Sequence, residues 1–348
     1  MNTALKFEKY FAYILYYTGL FFVYGKMKNI SNKTRILMYH RVVEDTQAKN
    51  DVLPKMVTKD EFENQMRYIS LKYRPISLNQ FLDDAKKGKI KKKSIVITMD
   101  DGYKDNYTNA YPILTKYNVP ASIFLTSGLI DTDKMLWFDE VSAMICSTKK
   151  MEIKIQNRIF NISSNEKKTS SIQNIISMLK KTDNEERLRW IKELQKECRT
   201  SKNLNNKNTM LSWKEVKEMS KNKLITFGAH TQTHPILSKM NLKDVENEIA
   251  KSKQIIGIKT GIEPGLFSYP NGGKEDFNKD IKRILKKYDF KCATSTISGL
   301  NDKNCDLFEL KRIGCSHEND NIVFKVKISG IFNTVISIYK LFIKVINK

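Results

Sequence analysis

Two acidic residues side by side, Asp100 and Asp101, followed at once by Gly102, are the first candidates for chemistry in this 348-residue chain. The second are two histidines four apart, His230 and His234, with Thr231 and Thr233 between them. Adjacent like charges are costly unless a cation or a shared proton relieves them. Taken alone, Asp-Asp-Gly reads as a helix N-cap with a solvated acid beside it. The chain has only four histidines, and two of them fall on this spacing. If the turn between them is helical, both imidazoles face one side. Two histidines and one carboxylate form a common catalytic zinc set that leaves the fourth position to water. The combination points to a divalent metal, Zn2+ above others.

The elements that must position these groups follow from the pattern. Ser94–Met99 is β-branched and apolar, bounded by a lysine run and a glycine, and predicts a buried strand ending at the two acids. Gly102 frees the backbone to turn. Residues 105–117 predict a helix, Pro120 breaks it, and Ala121–Thr126 predicts the next strand. Further strands are expected at Arg35–His40, Tyr73–Leu78, Leu224–Ala229, Leu266–Tyr269, Phe290–Thr294 and Phe308–Ile313. Helices are expected between them, one opening with a capping box at Thr58 and Glu61. Strand–helix repeats gather their functional groups at the carboxyl ends of strands. Residues 141–210 break this rhythm as an insertion. A hairpin turning at Gln156 and Asn157 and two helices, 169–181 and 184–199, are expected there. Trp137 and Phe138 stand at its start, in position to line a pocket or to be core.

At these residues the chain resembles the polysaccharide deacetylases, carbohydrate esterase family four. Thr98-Met99-Asp100-Asp101-Gly102 resembles the first family motif, His230-Thr231-Gln232-Thr233-His234 the second, and Phe267-Ser268-Tyr269-Pro270-Asn271-Gly272 the third. Leu37–Val42, LMYHRV, resembles the opening strand of one subgroup. The resemblance covers about residues 34–315. It implies an α/β fold, a distorted, incomplete (β/α)7 barrel, and removal of an N-acetyl group. It implies that Asp101, His230 and His234 hold the metal and that Asp100 is the general base. It also implies that a backbone N–H near Asn271 helps to hold the oxyanion, with Tyr269, Pro270 and Asn271 touching substrate, to which the pocket reading of Trp137 adds a further substrate contact. The chain departs from the family twice. Ser268 stands where the third motif has a base-orienting arginine, which Arg312 is placed to replace. The usual late histidine motif is missing, which leaves His40, or else His317, as general acid.

Composition bounds the rest. The formal net charge is +23, from 61 basic and 38 acidic residues, which suits an anionic partner. No nucleic-acid-binding pattern is present, so an anionic membrane surface or glycan is expected and nucleic acid is not. Five widely spaced cysteines, with no CxxC, argue against a disulfide framework and for a reducing compartment. Residues 10–25 are apolar, rich in tyrosine and phenylalanine, and flanked by lysines. The run is short for a span, which needs ~20 residues, and lacks a signal-peptide cleavage pattern. Residues 1–30 are therefore read as a monotopic anchor, the alternatives being an uncleaved span or a helix covering the domain's own core. Residues 31–320 form the catalytic domain and 321–348 an amphipathic tail. In that tail Asn333, Ser337, Lys340, Lys344 and Asn347 make one polar stripe, suited to a bilayer interface or to docking on the barrel. The expected location is membrane-associated, leaning to the cytoplasmic face. The expected substrate is an N-acetylated sugar of a bacterial surface polysaccharide or its lipid-linked precursor. Alternatives are a deformylase or deacetylase of a single lipid-linked amino sugar, and a membrane-bound glycan-binding pseudoenzyme.

Overall fold

The computed structural model describes residues 3–44, 56–199, 209–316 and 320–332. Twelve strands are present among them: β1 (Arg35–Tyr39), β2 (Arg41–Val43), β3 (Met56–Thr58), β4 (Arg74–Pro75), β5 (Ser94–Met99), β6 (Ala121–Leu125), β7 (Glu152–Ile155), β8 (Arg158–Asn161), β9 (Ile225–Ala229), β10 (Leu266–Ser268), β11 (Cys292–Ser298) and β12 (Leu310–Gly314). The main sheet runs β1-β12-β11-β10-β9-β6-β5, and β5 pairs back to β1. Seven parallel strands thus close into a ring, the distorted (β/α)7 barrel that the sequence predicts. The distortion has a specific origin. One edge of β5 is filled by β1 from Arg35↔Ile95 to Tyr39↔Met99. The other edge is shared between the two-residue β4 at Ser94 and Ile95 and β6 from Ile97 onward. With β1 along one edge and β6 along most of the other, β4 is left with two residues of pairing and stays outside the ring.

Side-chain parity along the strands separates two environments. Ile36, Val96, Phe124, Leu266, Cys292 and Leu310 form one apolar cluster with Leu78, Phe81 and Leu82 of the Leu78–Lys86 helix. Two residues further along the same parity come Thr98, Ser268 and Arg312, which bond to one another across strands that are not neighbours. The barrel interior is therefore apolar at its floor, closed by that helix, and polar toward the carboxyl ends of its strands. β9 places Gly228 on this face, where a Cβ would stand 2.6 Å from the Phe124 ring and 2.8 Å from the Leu266 carbonyl. Residues of the opposite parity, such as Leu37, Ile97, Ile123 and Phe227, pack outward against the helices.

Local signals read from the sequence hold. Thr58 and Glu61 form a reciprocal capping box. The hairpin β7–β8 turns through Gln156 (φ 48°) and Asn157 (φ 59°), and helices Asn165–Leu179 and Asn184–Glu197 follow. The insertion has its own apolar core, which includes Ile153, Ile155, Ile172, Ile175, Ile191 and Leu194. The apolar N-terminal run is not one helix. Gly19, at φ 72°, divides it into α1 (Thr3–Tyr17) and α2 (Leu20–Lys26). No described helix is long and apolar enough to cross a membrane. Most of the expected tail, 333–348, lies outside the described residues.

Candidate active site

β5 delivers Asp100 and Asp101 to the polar end of the barrel. Asp101 adopts φ 76° and Gly102 φ 84°, so the chain reverses within two residues. A Cβ on Gly102 would stand 3.0 Å from both Leu125 and Ile130. β9 ends at Ala229 and delivers His230. The segment that follows is not helical, contrary to the simplest reading of the spacing. Thr231 (φ 65°) and His234 (φ 62°) are left-handed, and this loop, rather than a helix face, brings the rings together. Thr231 Oγ1 donates to the His230 carbonyl at 2.6 Å and accepts from the His234 N–H at 3.0 Å. Left-handed non-glycine residues are strained and gather where function requires them.

The result is a three-residue cluster. His230 Nε2 and His234 Nε2 each lie 3.3 Å from Asp101 Oδ1, and all three side chains are buried. One ligand atom from each lies within 4.8 Å of the others. The chemistry of these donors is specific. The His230 Nδ1 stands 2.7 Å from the Ser268 carbonyl, which can only accept, so Nδ1 carries the proton. The Nε2 lone pair then faces a carboxylate that is itself acceptor-only. Both of its oxygens are buried without a hydrogen-bond donor. Converging lone pairs with no donor between them fit a cation. Asp101, His230 and His234 would hold a divalent metal there.

Asp100, the neighbour of Asp101 in sequence, is held by a different set of groups. Arg312 on β12 grips it bidentately, Nη1 to Oδ1 and Nη2 to Oδ2, both at 2.7 Å. Ser268 Oγ donates to Oδ2 at 3.3 Å and accepts from Arg312 Nη2 at 3.1 Å. Arg312 thus reaches the acid from β12, while a serine stands at the arginine position of the third motif. Burial raises the Asp100 carboxyl, and the Arg312 guanidinium outweighs it, leaving it at about 2. His40 ends β1 on the same rim, its Nε2 4.0 Å from Asp100 Oδ2. Its backbone is held by the π-helical turn Asn106–Ala110, because Asn106 Nδ2 donates to the His40 carbonyl at 2.8 Å. π-turns recur at functional sites for such re-aiming.

A cavity of about 260 Å³ opens over the cluster, lined by His40, Asp101, His234 and Asn271. Trp137, Phe138, Ile172 and Ile176 add an apolar lining, with the Phe138 ring edge-on to the His234 ring at 5.3 Å. Asn271 is left-handed (φ 62°), and its side chain donates to Asp276. Tyr269 and Pro270 are buried away from the cavity. The Tyr269 ring stacks on Phe277 at 4.2 Å and its hydroxyl donates to the Phe308 carbonyl at 3.0 Å. His317 lies outside the described residues.

Three contributing residues are not visible in the sequence. The lining residues Ile172 and Ile176 come from the insertion, whose helix periodicity says only that they are apolar. Glu248, on the Leu242–Thr260 helix, accepts from the backbone N–H of Gln232 at 2.8 Å and of Thr233 at 2.9 Å, and from Thr233 Oγ1 at 2.6 Å. It clamps the left-handed loop that carries both histidines, and groups that orient ligands usually set metal affinity by one to two decades. Glu248→Ala is therefore expected to weaken zinc binding about 10- to 100-fold, read by competition with a chromophoric chelator. Unchanged affinity would mean that the Thr231 bonds alone shape the loop.

Comparison with known proteins agrees with this geometry. Residues 87–293, more than half of the chain, match the family described as polysaccharide deacetylase, and the chain belongs to that family. It is 32% identical over 127 residues to the poly-beta-1,6-N-acetyl-D-glucosamine N-deacetylase of Staphylococcus aureus, covering 34% of this chain and 44% of the relative. The protein of the same name from Staphylococcus epidermidis is 30% identical over 115 residues, covering 30% of this chain and 40% of that one. The chain thus spans under half the length of these curated relatives. Among solved structures, the fold is similar to that of Streptococcus pyogenes deacetylase PplD in complex with acetate. The TM-score is 0.58 at 19% identity, over 86% of this chain and 98% of that one. It is also similar to IcaB from Ammonifex degensii, with TM-score 0.56 at 17% identity, over 86% and 97%.

Proposed function

We propose that this protein is a metal-dependent hydrolase that removes the N-acetyl group from an N-acetylated sugar of a bacterial surface polysaccharide or its lipid-linked precursor. The observation that carries this reading is the buried Asp101–His230–His234 cluster with an arginine-clamped carboxylate, Asp100, as its neighbour. A divalent cation at the cluster, Zn2+ in our reading, would acidify a water to a pKa of about 7 and polarise the acetamido carbonyl. Asp100, ionised and aimed by Arg312, accepts the proton as general base. His40, on the same rim, supplies the proton to the departing amine. Asn271, at the cavity edge, sets the backbone that faces the developing oxyanion. The apolar lining of Trp137, Phe138, Ile172 and Ile176 favours a substrate with a greasy portion beside the sugar, which supports the lipid-linked form over a bare oligosaccharide.

The test uses the purified full chain. Bound zinc is measured by elemental analysis, and acetate release is followed from N-acetylglucosamine oligomers and from a prenyl-phosphate-linked N-acetylglucosamine. Stoichiometric metal with acetate release from either substrate is expected. Release from neither, with metal bound and glycan retained, would replace the hydrolase by a glycan-binding protein at the membrane.

A further inference from the structure

Exposed large apolar side chains are concentrated at one place on this molecule. Tyr10, Ile14 and Tyr17 of α1 are 77%, 55% and 75% exposed, and Leu20, Phe22 and Val23 of α2 are 52%, 57% and 64% exposed. On α1 the arrangement is two-faced. At about 100° per residue, Tyr10, Ile14 and Tyr17 share one stripe, while Ala12 and Leu15 lie on the opposite side. Ala12 and Leu15 are buried, in an apolar cluster with Val323 and Val326 of the Asn321–Ser329 helix. The inner face of α1 is thus already used for docking on the domain, and the outer stripe is a second apolar face. α2, LFFVYGK, has no buried residue at all. An apolar face this extensive is not sustained against water without an occupant.

The charge around it names that occupant. Residues 9–28 contain Lys9, Lys26 and Lys28 and no acidic residue. The Lys26 ammonium sits 4.0 Å over the Phe22 ring, so its charge lies at the edge of the apolar face. Aromatic rings and aliphatic side chains with the Lys26 ammonium at their edge match the boundary between acyl chains and anionic headgroups. Neither α1 nor α2 can span, so contact lies in the plane of the surface.

We propose that the outer face of α1 and α2, through Ile14, Leu20, Phe22 and Val23, inserts into the headgroup boundary of an anionic bilayer. The face is also fixed relative to the catalytic barrel. Lys9 and Tyr13 bond Asp320, at the start of the Asn321–Ser329 helix, 3.0 and 2.9 Å away. The far end of that helix is tied to β1, because Arg35 donates to the Ile328 and Ser329 carbonyls at 2.8 and 3.2 Å. Arg35 opens β1 at the floor, and His40 follows β1 at the mouth. The lipid-binding face is therefore anchored to the floor end of the barrel through Arg35, at the opposite end of β1 from His40.

The experiment is co-sedimentation of the full chain with vesicles of phosphatidylcholine alone and with roughly one lipid in three replaced by phosphatidylglycerol. The comparison is with I14S/F22S/V23S, whose positions are exposed and remote from the site. The wild type is expected to pellet with the anionic vesicles, and the triple variant to lose at least about tenfold in partitioning, with unchanged thermal midpoint in lipid-free buffer. Equal pelleting of the two proteins would overturn the proposal. So would a lowered midpoint without lipid, which would show that another part of the chain covers this face. A lipid-free dimer of the wild type that the triple variant abolishes would assign the face to a second copy instead.

Discussion

Asp100→Asn is expected to retain a stoichiometric metal and to lower kcat by about 10²- to 10⁴-fold, the range that a positioned acid or base contributes. The substitution keeps shape and removes the proton acceptor. Both Asp100 oxygens are engaged by Arg312, whereas Asp101 is the carboxylate 3.3 Å from both imidazoles. Metal content and turnover should therefore separate at this position, whereas at Asp101 they should fall together. The pH dependence follows from the charge environment. Held at about 2 by Arg312, the Asp100 carboxyl is in its accepting form at every pH above roughly 3. The acid limb of the wild-type rate profile must then come from other groups, and its midpoint should lie well above 2. Elemental analysis together with a rate profile between about pH 4 and 9 checks both statements. Turnover within a factor of two or so of wild type would remove Asp100 as base. Loss of metal in the same variant would show that Asp100 belongs to the ligand set.

Much of this arrangement is legible in the sequence because it is local. Ser94–Met99 announces a buried strand by its β-branched run, and an Asp-Asp-Gly at its end can only fall on the rim where such strands stop. Thr58 with Glu61, and Gln156 with Asn157, encode their cap and turn within four residues, so no tertiary contact is needed to read them. The histidine pair was legible as a pair, but its mechanism was not. The spacing suggests a helical turn, whereas the loop is left-handed at Thr231 and His234 and is clamped by Glu248, sixteen residues beyond Gln232. Such a clamp is a tertiary fact with no sequence period. The same holds for β4, whose expected strand, Tyr73–Leu78, shrinks to two residues because β1 and β6 take the edges of β5. It holds also for Ile172 and Ile176. Their apolar period on the Asn165–Leu179 helix predicts a buried face, and only the fold decides that part of that face looks into the catalytic cavity.

Arg312 carries the second large effect, and it shows in stability as well as in rate. Arg312 is completely buried, and its partner Asp100 is 1% exposed. Removing one member of a buried pair strands the other charge, at a cost of about 3–5 kcal/mol. Arg312→Met, close in volume, is therefore expected to lower the thermal midpoint at neutral pH by roughly ten degrees and to reduce kcat by a factor comparable to that of Asp100→Asn, because the base loses its aim. The pH dependence has a definite sign. The folded carboxyl lies below its ordinary 3.8, at about 2. The pair's contribution is therefore fully present above about pH 4 and is lost as pH falls through about 2. In the variant the uncompensated Asp100 takes up its proton at higher pH than in the wild type, so the stability deficit should be largest near neutrality and should narrow toward pH 4. The double variant Asp100→Asn/Arg312→Met removes both charges and should recover much of the lost stability without recovering turnover. Arg312→Lys should restore little, since one ammonium cannot reproduce two parallel bonds to Asp100 while also reaching the Ser295 carbonyl. Urea unfolding at several pH values, read beside acetate release, checks each of these outcomes. A single variant as stable as the wild type, or a double variant less stable than either single one, would mean that the pair does not hold this end of the barrel in the way its geometry implies.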